Sequence, residues 1–181
     1  MNKSFWKGKR VLVTGDTGFK GSWLSLILNM YGAKVQGISS SKFNDNAGLY
    51  SCLALNKISN TIDCDIRDFD QVCKAFNLFN PEVVFHLAAQ PLVRKSYQDP
   101  VTTYEVNVMG TMSILEAVKK SPSGKSAVMV TTDKCYKNNE WEWGYRENDP
   151  MGGHDPYSSS KACVELLTHS YRQSFFNDHA N

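Results

Sequence analysis

Between a short β-branched run, Arg10–Thr14 (RVLVT), and a segment where Trp23, Leu24, Ile27, Leu28 and Tyr31 recur at helical spacing stands Gly15-Asp16-Thr17-Gly18-Phe19-Lys20-Gly21. A strand that turns into a helix over glycines spaced G-x-x-G-x-x-G has a restricted set of uses. Glycine permits the tight turn, leaves no Cβ in the way of a pyrophosphate, and lets the helix approach the strand closely. The helix N-terminus adds free N–H groups and a partial positive charge, which favour phosphate. The loop therefore reads as a dinucleotide-binding turn, with a purely structural turn as the alternative. Asp16 places a carboxylate in this loop, where it would oppose a pyrophosphate.

The remaining chain repeats the strand-then-helix alternation that produces a parallel sheet covered by helices. Strands are predicted at 34–38, 59–64, 82–87 and 127–130. Helices are predicted from Trp23 to a stop at Gly32, over 68–79 with Asp68 as N-cap, over 101–120, and from Pro156 to about Phe176. Residues 39–56 are less regular, with a turn of helix near 49–55. Right-handed crossovers give a doubly wound α/β sheet of order 3-2-1-4-5, whose ligand crevice lies at the carboxyl ends of strands 1 and 4.

Composition narrows the function classes. A chain of 181 residues suits one domain, and a net charge of +2 lacks the strong positive field that would indicate nucleic acid. Asp16, Lys20 and the glycines interrupt the first apolar stretch, so neither a signal peptide nor a membrane span is read there. Five widely spaced cysteines with no Cys-x-x-Cys pair indicate no metal site and reduced thiols, as in a cytoplasmic protein.

Two further clusters carry chemistry. Tyr157 and Lys161 lie four apart on one helical face, where an ammonium would stabilise the phenolate and lower its pKa toward that of a usable base. Thr131-Thr132-Asp133-Lys134 follows the fifth strand. The second strand ends in Ser39-Ser40-Ser41-Lys42 without the carboxylate that usually receives a ribose, so NAD and NADP both remain open, and Lys42 leaves room for a 2′-phosphate. Asp65 after the third strand reads either as an adenine contact or as a solvated acid beside the Asp68 cap. His86 reads as a packed core imidazole and Asn107 as a structural hydrogen-bonder. Trp141, Trp143 and Tyr145 read as a packed flap.

The glycine loop, His86-Leu87-Ala88-Ala89, Asn107-x-x-Gly110-Thr111 and Tyr157-x-x-x-Lys161 together resemble the extended short-chain dehydrogenase/reductases, the NAD-dependent epimerase/dehydratase family with a Rossmann-type fold. Longer blocks narrow the resemblance to its nucleotide-sugar 4,6-dehydratases acting on CDP-glucose: Gly18 to Leu24, Ala88 to Arg94, Thr131 to Tyr136, Gly144 to Glu147 and Gly152 to Ser158. The resemblance implies NAD held by Gly15, Thr17, Gly18, Phe19, Lys20, Gly21, Asp65, Ile66, Leu87, Ala88, Ala89, Gln90, Thr131, Tyr157 and Lys161. Gln90 and Arg94 would face the substrate, although a solvated loop arginine is an equal reading.

The implied reaction is an internal redox cycle. Tyr157, helped by Lys161 and Thr132, takes the C4 hydroxyl proton while hydride leaves C4 for NAD. Loss of the C5 proton and the C6 hydroxyl follows, and hydride returns to C6. Asp133 and Lys134 are the implied elimination acid and base, in an order the residues leave open. The resemblance also implies a homodimer through helices 101–120 and 157–176, a role in deoxysugar and lipopolysaccharide synthesis, and a C-terminal substrate domain beyond residue 181. On that expectation residues 1–181 are the cofactor domain, with little turnover alone. A nucleotide-sugar 4-epimerase or reductase, and a non-catalytic NAD-binding or dimerisation module, are the competing readings.

Overall fold

The computed structural model describes residues 2–40, 48–124 and 126–177; Ser41 and Lys42 lie outside them. Five parallel strands form one sheet in the order β3-β2-β1-β4-β5, as expected: β1 Arg10–Thr14, β2 Lys34–Ser39, β3 Asn60–Asp63, β4 Val83–His86 and β5 Ser126–Met129. In register, Thr14 pairs with Ile38 on one side and His86 on the other. The chain reverses its winding between β1 and β4, so a crevice opens above their carboxyl ends.

Strand periodicity divides the core. Leu12 and Val84 face one layer, with Ile38, Ile66, Val72, Phe76 and Ile114, under α4 (Phe69–Phe79) and α7 (Gly110–Lys120). Val11 and Val13 point the other way, with Trp6, Leu28, Val35 and Val83, under α1 (Lys3–Trp6) and α2 (Phe19–Met30). Both faces of β1 are buried, which is why it reads as an unbroken apolar run.

Local signals set the helix ends. Asp68 caps α4 by accepting from the Gln71 N–H, and α2 stops at Gly32, whose backbone is left-handed. Asp155 caps α8 (Pro156–Tyr171) through the Ser158 N–H and hydroxyl. A short α3 (Leu49–Cys52) occupies the irregular stretch. Two departures from expectation bear on the crevice. The segment after β4 is not a plain loop but holds α5 (Val93–Gln98). The expected helix 101–120 is three pieces, α6 (Pro100–Tyr104), a π-helical turn Glu105–Met109, and α7. A second π turn, Arg172–Phe176, extends α8. No helix among the described residues is long and apolar enough to cross a membrane.

Candidate active site

A cleft of about 620 Å³ opens over the carboxyl ends of the strands. Every residue assigned to the cofactor from sequence lines it: Gly15, Thr17 to Gly21, Asp65, Ile66, Leu87 to Gln90, Thr131, Tyr157 and Lys161. The strand order spreads them across the sheet. Asp65 and Ile66 follow β3 on one side, the glycine loop and Leu87–Gln90 stand over the centre, and Thr131 follows β5 on the other side.

The glycines are required by contact. Gly15 has φ +70°, and a Cβ there would stand 2.8 Å from the Ala88 nitrogen, inside the neighbouring strand's exit. A Cβ on Gly21 would lie 2.1 Å from the Gly15 carbonyl oxygen, so α2 could not seat against the turn. These are the close approaches a dinucleotide turn demands.

Beneath the cleft runs a closed hydrogen-bond chain. The Leu87 and Ala88 N–H groups donate to Thr14 Oγ1 at 3.2 and 3.1 Å, and Thr14 Oγ1 lies 2.6 Å from His86 Nδ1. On the other side His86 Nε2 lies 2.9 Å from Thr111 Oγ1, which donates to the Asn107 carbonyl at 2.6 Å. Because the Thr111 proton is committed to Asn107, Nε2 must donate and Nδ1 must accept, which fixes a neutral imidazole. Burial, with the Lys161 ammonium nearby, pushes His86 down to about 3. His86 is thus a packed strut, as expected. Asn107 fills its expected role too: its carboxamide oxygen accepts from the Gln90 N–H at 2.8 Å, and its nitrogen donates to the Gln90 carbonyl at 3.2 Å and Ser160 Oγ at 2.8 Å.

Tyr157 and Lys161 share the cleft from the first two turns of α8. Lys161 is buried, and its ammonium donates to the Val130 carbonyl at 3.1 Å. Burial, and secondly the charge of Lys20, lower its pKa to about 8. The expected lowering of Tyr157 is not what the structure has. Burial raises the phenol, and the hydrogen bond with Thr132 opposes the rise only in part. Lys161 is not among the groups that shift the phenol, and its ammonium donates one of its three N–H bonds to the Val130 carbonyl. Glu165, one turn further along α8, was not singled out from sequence; it accepts the Thr131 hydroxyl and so fixes a cleft wall.

The sequence model for the family described as GDP-mannose 4,6 dehydratase matches residues 12–179. The chain belongs to that family. It is 53% identical, over 98% of its length and 49% of the relative's, to the CDP-glucose 4,6-dehydratase of Salmonella typhimurium. Among solved structures it resembles the UDP-glucose 4-epimerase of Thermus thermophilus in complex with NAD, at 30% identity and TM-score 0.77, covering 92% of this chain and 52% of that one. It also resembles the dTDP-glucose 4,6-dehydratase of Streptomyces venezuelae with NAD and TYD bound, at 26% identity and TM-score 0.80, covering 93% and 53%. The chain spans about half the length of the curated relatives it matches.

Within this family member several residues stand elsewhere than expected. Arg94 is exposed on α5 and does not line the cleft, whereas Lys95 from the same helix does. Asp16 does not face the phosphate wall; it turns inward and is fully buried. Asp65 does line the cleft, but its carboxylate is clasped by the Arg67 guanidinium at 2.7 Å, which also reaches Glu105 at 3.0 Å. Thr132, Asp133 and Lys134 lie outside the cleft lining, on a 3₁₀ turn (Asp133–Cys135) beyond β5. Asp133 and Lys134 are exposed, and Thr132 Oγ1 holds Asp133 at 3.1 Å. The aromatic flap is only partly packed: Tyr136 stacks on Tyr145 and Trp141 leans on Tyr145, while Trp143 is 75% exposed.

Proposed function

We propose that this chain is the NAD-binding part, residues 1–181, of a nucleotide-sugar 4,6-dehydratase that converts CDP-glucose to CDP-4-keto-6-deoxyglucose and water. The observation that supports it most is one cleft shared by a glycine loop, a half-buried Tyr157 and a buried Lys161. The residues fit a dinucleotide: Gly15 and Gly21 keep a cradle open that a Cβ would fill, and Leu87–Gln90 supply its floor. When bound, NAD would take hydride from the sugar and return it.

The chain's own groups supply the proton chemistry. Tyr157 would accept the C4 hydroxyl proton, with the Thr132 hydroxyl near enough to lower its pKa. Lys161, at about 8, is mostly protonated at neutral pH and would stabilise negative charge in the cleft. Asp133 and Lys134 would serve the elimination from the turn that Thr132 caps. A 4-epimerase needs no such elimination pair, which favours the dehydratase. We further propose a cytoplasmic homodimer through α6–α7 and α8, which pack together and leave Met109 and Leu166 at 49% and 61% exposure. Its product would feed deoxysugar and lipopolysaccharide synthesis.

The test is calorimetric titration with NAD, CDP-glucose and UDP-glucose, followed by product analysis. NAD binding with weak or no turnover of CDP-glucose is the expected result for this part alone, any product being the 4-keto-6-deoxy sugar. Conversion of UDP-glucose to its 4-epimer would establish the epimerase instead. NAD binding with no sugar-nucleotide binding would leave this chain a cofactor-binding module.

A further inference from the structure

Asp16 is a carboxylate with no exposed surface in a loop that belongs to a phosphate. Its Oδ1 accepts from Ser39 Oγ at 2.8 Å and its Oδ2 from Thr61 Oγ1 at 2.5 Å, while Tyr50 Oη, 2.8 Å from Thr61 Oγ1, donates behind it. Asp16 therefore ties the exit of β1 to the end of β2 and to the body of β3. Burial raises its pKa, but every partner donates to it, so the hydroxyl network is arranged for the ionised form.

The consequence falls on Ser39, the last residue of β2, which lines the cleft. A serine hydroxyl has one proton, and here Asp16 takes it. The Ser39 oxygen also accepts from the Thr17 N–H at 3.4 Å. What remains toward the cleft is acceptor capacity backed by a buried negative charge. A group that donates a hydrogen bond suits this position, and a phosphate, which brings acceptors and charge, does not.

We infer that Asp16, acting through Ser39, is the positioning residue that selects a dinucleotide with a free adenosine-ribose 2′-hydroxyl and rejects its 2′-phosphorylated counterpart. It does at second hand what a carboxylate at the end of β2 does directly in related folds, and it resolves the NAD-or-NADP choice that the second strand leaves open. The inference rests on the dinucleotide reading of the cleft.

Fluorescence titration of the whole chain with NAD and with NADP tests it, without any need for turnover. The wild type is expected to favour NAD at least tenfold. Asp16→Asn keeps the shape but removes the buried negative charge and one of the two acceptors behind Ser39, and should cut that ratio at least fivefold, mainly by improved NADP binding. Ser39→Ala removes the acceptor and should cut the ratio through weaker NAD binding, which keeps the question decidable if the Asp16 variant does not fold. A merely structural role would weaken both dinucleotides in parallel and leave the ratio unchanged in both variants; that result overturns the inference alone. A wild type that binds neither dinucleotide overturns the cofactor reading and this inference with it. A wild type that prefers NADP overturns the inference and leaves a dinucleotide site.

Discussion

Lowering the pH from 7 to 5 should destabilise the fold through His86 before any carboxylate of ordinary pKa is titrated. In the unfolded chain its imidazole has a pKa near 6.5; in the fold burial depresses it to about 3. The unfolded state therefore binds a proton between these values that the native state refuses, so the stabilisation is present above about 6.5 and is lost as pH falls toward 3. From pH 7 to 5 the loss works out at about 2 kcal/mol, rising to a limit on the order of 5 kcal/mol at the acid end. Asp16, raised by burial, acts in the opposite sense, because the fold takes up its proton first. Its contribution cancels in a comparison of wild type with His86→Asn, which lacks the imidazole. Urea unfolding of both proteins at pH 7, 6 and 5 isolates the difference. Equal pH slopes would refute the neutral, doubly bonded imidazole read from the Thr14–His86–Thr111 chain.

Three further outcomes follow from the same geometry. Gly21→Ala puts a methyl 2.1 Å from the Gly15 carbonyl oxygen; it should lower stability by about 1–3 kcal/mol and weaken NAD binding at least tenfold in a fluorescence titration. Lys161→Met removes a buried cation whose charged form is penalised by about 3 kcal/mol and forfeits a bond to Val130 worth about 1, so net stability at pH 7 should rise by about 1–2 kcal/mol while NAD binding weakens. The wild type should close that gap from pH 8 toward 10.5, where the unfolded lysine also loses its proton. Asn107→Ala leaves the buried Gln90 N–H without its acceptor and should cost about 2–3 kcal/mol in denaturant unfolding.

The sheet was legible because burial writes directly into the chain. Arg10–Thr14 is apolar on both faces, so its limits were read to the residue, and Asp68 and Pro156 mark helix starts by their own chemistry. The π turn at Glu105–Met109 was not, since apolar spacing through Val108, Met112 and Leu115 reads as one uninterrupted helix. Helix α5 is shorter than two turns, too short for a repeating apolar pattern to announce it, and its phase decides that Lys95 rather than Arg94 meets the cleft. The Tyr157–Lys161 spacing correctly placed both side chains in one cleft. It could not tell that the Val130 carbonyl, just after β5, would accept one of the ammonium's hydrogen bonds. Asp16 was misplaced for a related reason: the partners that turn it inward, Ser39 and Thr61, lie 23 and 45 residues away.

Gly37, one strand over, is bounded by the Asp16 carboxylate. A Cβ there would fall 1.9 Å from Asp16 Oδ2, so the carboxylate occupies the volume that a β2 side chain would otherwise fill. The two positions are therefore coupled. A side chain at 37 requires Asp16 to move out of its hydrogen bonds or to be replaced by a smaller residue, so the two substitutions should be non-additive.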